Sequence, residues 1–113
     1  ADIMIPQIYY GFENSAAPYQ STLDEWDALA KQGGIPLIAG LSVSKVGCED
    51  TWAGSGKYEW INYSDIISRQ AAAAKKCASY GGIALYSYRS VFQPESSVSK
   101  QVKKEITALR DIL

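Results

Sequence analysis

The sequence predicts an α/β fold of three consecutive βα units with parallel strands. Three observations carry this reading. Three apolar runs rich in β-branched or aromatic residues are near-continuous rather than alternating, the pattern of parallel strands buried on both faces. Amphipathic helical stretches with clear stop signals lie between and after them. The order β-α-β-α-β-α, joined by right-handed crossovers, then places helices against a parallel sheet. A chain of 113 residues without a low-complexity linker reads as a single α/β domain, 1–113.

The first strand is expected over Ile3 to Tyr10. Pro6 lies inside it, lacks a ladder donor, and marks an edge or a bulge. The first helix is expected from the capping-box pattern Thr22-Leu-Asp-Glu25, with Leu23, Trp26, Leu29 and Ala30 on one face and Gly33-Gly34 as the stop. The second strand covers Ile35 to Val43, with Pro36 tolerated at its start. A second helix should start near Asn62 to Ser64 and end at Gly81-Gly82. Its expected face is Ile66, Ile67, Gln70, Ala71, Ala74 and Ala78, and the run Ala71 to Ala74 favours helix. The third strand covers Ile83 to Tyr88. The last helix follows Pro94, where Val98, Val102, Ile106, Leu109 and Leu113 form one apolar stripe. Glu95 before it and Arg110 near its end suit the helix dipole.

The connections are asymmetric. The turns from helix to strand are short, whereas the loops over 11–21 and 46–62 are long. Ligands of parallel α/β folds bind at the carboxyl ends of the strands, so the long loops mark that end as the working face. The residues expected there include Gln7, Tyr9, Tyr10, Phe12 and Glu13, then Ser42, Ser44, Lys45, Trp52, Tyr58 and Trp60, then Ser87, Tyr88, Arg89 and Ser90. Aromatic platforms beside amides and carboxylates suit sugars, which offer an apolar C–H face and a hydroxyl rim. The substrate-binding candidates are Gln7, Tyr9, Lys45, Trp52, Tyr88 and Arg89. For Trp52 and Trp60 the competing reading is a structural one, pinning a long loop. For Lys45 it is a rim salt bridge to Glu13.

Glycosidases work with two carboxylates, about 5–5.5 Å apart for retention or about 6.5–9.5 Å for inversion. Glu13, Glu49, Asp50, Glu59 and Glu95 are the carboxylates that could face the site, and Glu13 is the one kept as a catalytic candidate. The catalytic set is otherwise unassigned.

Other classes are excluded or unsupported. The chain has no histidine, which removes Ser-His-Asp and Cys-His mechanisms and His-ligated metal sites from its own residues. No cofactor or metal is implied. A net charge of -1 gives no footprint for nucleic acid. No apolar run approaches the ~18–20 residues of a membrane span. Gly54-Ser-Gly56-Lys57 only partly matches a phosphate loop and sits mid-loop. Lys100, Lys103, Lys104 and Arg110 read as the solvated face of the last helix. Cys77 falls about 20 Å along the second helix from the end that neighbours Cys48, beyond the roughly 7 Å Cα separation a disulfide allows, so two free thiols are expected.

Three stretches resemble a known family. DIMIPQIYYGF, from Asp2 to Phe12, resembles the "MPQIYW-F" strand of the family-10-like glycosyl hydrolases, bacterial envelope lipoproteins and secreted proteins. IAGLSVSKVG, from Ile38 to Gly47, resembles their "YIGL-AYKVG" strand, with Ser44 where tyrosine is usual. GIALYSYRS, from Gly82 to Ser90, resembles their "G-FFSYSS" strand, and Ala17-Pro-Tyr19 with Trp26 resembles the loop and helix after the first strand. The resemblance implies the last part of a TIM-like (β/α)8 barrel, a C-terminal portion of an enzyme on bacterial cell-wall or related glycans. It implies a cell-envelope or secreted location, with Gln7, Tyr9, Lys45 and Tyr88 lining the barrel mouth. Such a fragment would be inactive alone, because barrel enzymes draw catalytic residues from several strands. The chain opens directly in a strand-like run, which also reads as a fragment. The alternative is a small stand-alone carbohydrate-binding or flavodoxin-like interaction module. Either way, helices on one sheet face leave the other uncovered, with Ile3, Ile5, Ile38, Ala84 and Tyr86 on it. The isolated chain is therefore expected to form a homodimer.

Overall fold

The computed structural model describes residues 2–113. Two segments form a ladder: β1 (Leu37–Ser42) and β2 (Tyr80–Tyr86) run parallel, from Leu37 opposite Tyr80 to Ser42 opposite Tyr86. The first apolar run lies beside β1 but touches it through only two isolated bridges, Met4 with Leu37 and Gln7 with Gly40. The sheet thus has two strands, set among five helices, and the expected three βα units are not formed. The barrel-like reading of the fold falls with them.

Pro6 is the physical reason. Met4 N donates to Pro36 O, Ile38 N to Met4 O, Gly40 N to Pro6 O and Ile8 N to Gly40 O. The bond missing from this series is the one an N–H at position 6 would donate, and proline has none. The run still approaches β1 closely, because a Cβ on Gly40 would lie 2.8 Å from the Pro6 carbonyl oxygen.

Helix α1 (Tyr19–Gly33) starts three residues before the expected cap. Thr22 does not cap it: both its N–H and its hydroxyl donate to Pro18 O, one turn back. Asn14 shapes the entry instead, its Oδ1 accepting from Ala16 N and Ala17 N. The stop is as expected, with Gly34 in the left-handed region at φ 66°.

The loop after β1 carries 3-10 turns at Val43–Lys45 and Gly54–Gly56 and the short helix α2 (Glu59–Asn62). Helix α3 (Ile66–Lys75) buries Ile66, Ile67, Gln70, Ala71 and Ala74, most of the expected face. It ends well before Gly81-Gly82. The Asp27 carboxylate of α1 accepts from Ala78 N and Ser79 N and so fixes the turn after α3. Gly81 and Gly82 lie inside β2, at a register irregularity beside Leu37 and Ile38. Gly81 sits there because a Cβ would meet the Pro36 ring at 2.8 Å.

Helix α4 (Tyr88–Phe92) is capped by the Ser87 hydroxyl, which accepts from Ser90 N. Helix α5 (Ser99–Ile112) packs on α3 and buries Val102, Leu109 and also Glu105. The Glu105 carboxylate accepts from Ile66 N at 3.1 Å and Ile67 N at 2.9 Å, so it caps α3 from another helix. One turn earlier, Gln101 Nε2 donates toward the carbonyls of Trp60, Ile61 and Tyr63. Together they lock the corner between α2 and α3.

The core lies on one face of the sheet. Ile8, Leu37, Ala39 and Leu41 cluster with Leu23 and Ala30 of α1, Ile67 and Ala71 of α3, and Val102 and Leu109 of α5. Cys48 is exposed and Cys77 half-buried, both free thiols as the spacing requires. Among the described residues, no helix is long and apolar enough to cross a membrane.

Candidate functional site

The two long loops are knitted to each other. The Glu59 carboxylate is buried under the first loop and accepts from Phe12 N at 3.0 Å and Glu13 N at 2.9 Å. Gly11 leaves room for it, since a Cβ there would overlap Glu59 Oε1. Ser15 donates to the Ala53 carbonyl through both N–H and hydroxyl. Trp60 is buried, as its structural reading as a loop pin requires. Burial raises the Glu59 carboxyl above its ordinary value, against the two backbone donors that lower it.

The uncovered face of the sheet reads out in rows. Gln7 pairs with Gly40, and Gly40 with Ala84. Ser42 pairs with Tyr86, and the offset that sets Gln7 on Gly40 sets Tyr9 on Ser42. The Tyr9 and Tyr86 rings meet across buried Ser42, with centroids 5.6 Å apart. Their hydroxyls are polar tips on an apolar platform at the carboxyl end of the sheet. Burial, and secondarily the neighbouring Tyr86, raise the Tyr9 hydroxyl above its ordinary value. At the amino end of the same face stand Ile3 and Ile5, each about half exposed (47% and 52%), as is Tyr86 (53%).

A polar cleft of 440 Å³ opens between the 3-10 turn after β1 and the segment entering α5. Ser44, Cys48, Arg89, Ser90, Gln93 and Glu95 line it. Ser44 and Ser42 share a hydroxyl hydrogen bond of 2.8 Å, which ties the cleft to the tyrosine pair.

The candidates named from sequence divide accordingly. Gln7 and Tyr9 lie on the uncovered face, and Arg89 lines the cleft. Lys45 bonds the Tyr9 carbonyl and pairs with Asp50 Oδ2 at 3.1 Å, with the Tyr10 ring 5.9 Å away. Its partner is thus Asp50 rather than Glu13, and it anchors the platform from behind. Tyr88 is exposed on α4 and its ring packs at a tilt against Phe92, centroids 4.8 Å apart. Trp52 stands 88% exposed in a turn of the long loop. Glu13 is exposed and gives its N–H to Glu59. Glu49 faces Lys57 at 3.9 Å, leaving Glu95 as the carboxylate of the cleft.

Gln93 is the site residue not named from sequence, and Tyr86 was expected on the uncovered face but not among the binding candidates. The signal for Tyr86 was parity: it lies two residues before Tyr88 and shares the face of Ala84. Gln93 follows a helix of five residues that no periodicity announces. Comparison of the chain with family models, curated proteins and solved structures gave no match in any of the three.

Proposed function

We propose that the chain binds glycan strands of bacterial cell-wall or related type, through the Tyr9–Tyr86 platform and the cleft of Ser44, Arg89, Gln93 and Glu95. The observation that carries the reading is the tyrosine pair: two rings in contact on an uncovered sheet face, linked through Ser42 and Ser44 to a cleft with amide, guanidinium and carboxylate groups. Pyranose rings need that combination of an apolar plane and a polar rim. The three stretches resembling family-10-like glycosyl hydrolases favour the same ligand and a cell-envelope or secreted setting. Binding rather than turnover is proposed for this chain alone, because Glu59 is committed to backbone donors and Asp50 to Lys45.

Isothermal titration with soluble peptidoglycan fragments and chitooligosaccharides tests the reading. Tyr86→Ala should weaken binding about tenfold, equivalent to about 1.4 kcal/mol. Trp52→Ala should leave it unchanged. Absence of binding to either glycan, or equal affinity of the Tyr86 variant, overturns it. Release of new reducing ends by the purified chain would replace binding with hydrolysis.

The amino end of the uncovered face supports a second element of the proposal, a two-fold homodimer. Ile3 and Ile5 are exposed there, and the far edge of β2 carries no neighbouring strand among the described residues. Light scattering over a concentration series should show the mass rising from 12.3 kDa toward twice that value. A constant monomer mass removes the dimer and leaves the glycan reading standing.

A further inference from the structure

On the far side of the segment leading into α5 lies a second groove, of 670 Å³, between α4 and α5. Its floor is apolar, built from Val91, Phe92, Val102 and Ile106. Its wall on the α5 side carries Lys100, Lys103 and Arg110, and no carboxylate lines it. None of these three cations forms a salt bridge among the described residues. Of the floor residues, Phe92 is 68% exposed, an aromatic of the type that anchors interfaces.

The spacing carries the argument further. Lys100, Lys103, Thr107 and Arg110 recur at intervals of three, four and three residues along α5. They make one line about 15 Å long on the helix surface. A flanking helix with acidic residues at the same three-and-four interval would pair with that line along its length, as charged edges pair in coiled coils. Its apolar stripe would meet the groove floor.

We infer that the α4–α5 groove receives an acidic amphipathic helix of a partner protein. The concave shape and one-sided charge fit a helix better than a flat surface. A net charge of -1 gives the chain no general attraction to an anionic bilayer. A second copy fits poorly, because the exposed side of α1 offers Asp24 and Glu25 together with Lys31.

The test uses the full chain and a fluorescein-labelled synthetic helix of about three Leu/Glu heptads, with Glu→Gln and Glu→Lys copies. Fluorescence anisotropy should show binding of the acidic peptide, weaker binding of the Gln copy, and weakening as salt is raised. The double variant Lys100→Glu/Lys103→Glu should bind the acidic peptide at least tenfold less tightly. If folded by circular dichroism, it should also gain affinity for the Lys copy. That gain of function separates lost charge matching from misfolding. Equal binding of the acidic and Gln copies, or no change on charge reversal, overturns the inference. So does co-sedimentation with phosphatidylglycerol vesicles without peptide binding, or a charge-dependent rise in mass without peptide.

Discussion

The two faces of the sheet are built from the same three extended segments and differ only in the parity of the residues. Even-numbered Pro6 and Ile8 of the first run, with Ala39 and Leu41 of β1, face the helices and are buried. Odd-numbered Ile3, Ile5 and Gln7 face outward and are exposed. Both sets are rich in apolar side chains, so hydrophobicity alone does not separate them. The helices separate them, because α1, α3 and α5 all cluster on one side. The lesson is that a near-continuous apolar strand is ready for burial on both faces, and that this chain supplies cover for one.

The sharpest break of this comparison is a pair of isoleucine truncations. Ile8→Ala should cost about 2–5 kcal/mol, as for a fully buried aliphatic side chain. Ile5→Ala, three residues earlier and on the other face, should stay within about 0.5 kcal/mol at protein concentrations low enough to keep the chain monomeric. Chemical denaturation of both variants measures the difference, and equal losses would mean that the outer face is covered in solution.

Glu105→Ala attacks the covered side through its polar staple. It leaves Ile66 N and Ile67 N buried without an acceptor, for a loss of about 2–4 kcal/mol. Glu105→Gln keeps one acceptor and should lose less. Thermal unfolding of the two variants orders them.

Gly40→Ala should cost about 1–3 kcal/mol by overpacking against the Pro6 carbonyl. The damage should stay local. Amide exchange should speed up at Met4, Ile8 and Gly40 while β2 keeps its protection, and uniform acceleration would mean that the first run and the ladder unfold as one unit.

The smallest effect is on pH dependence. Burial raises both the Glu59 and Glu105 carboxyls above 4.5, their ordinary value. A raised carboxyl contributes stability that is complete below the unfolded value and lost as pH rises through the folded one. Lowering the pH from neutrality toward 4.5 should therefore stabilise the wild type relative to Glu59→Gln. Melting temperatures that diverge in the opposite direction would refute this assignment.

Separate elements of the fold were legible in the sequence, but the expected arrangement into three βα units does not form. β1, the Gly34 stop of α1 and the stripe Val98, Val102, Ile106 and Leu109 follow from local periodicity and backbone conformation. Pro6 marked the first run as an edge or a bulge, whereas in the structure the run makes only isolated bridges to β1. What stayed hidden depends on long-range partners. The capping-box pattern at Thr22 gave way to Pro18 and Asn14, because the loop is held by Glu59 from far along the chain. Gly81-Gly82 looked like a helix stop, yet it serves a close approach to Pro36 inside β2. Glu59 read as a carboxylate that could face the site and Glu105 drew no reading, since no local pattern reveals that a carboxylate will accept backbone N–H groups from another element. Of the site candidates, Gln7, Tyr9 and Arg89 came from strand-end position, which topology preserves. Trp52 came from its aromatic type and its place in the long loop, and it stands 88% exposed.

The two thiols also make the molecule its own reporter. Burial, and then Asp27 and Asp24, push the Cys77 thiol up to about 11, so at neutral pH it holds little of the thiolate that reacts with maleimides. Cys48 is exposed and lines the cleft beside Ser44. A dye added near neutrality should settle on Cys48 first, placing a fluorophore at the lip of the proposed glycan site without altering any residue.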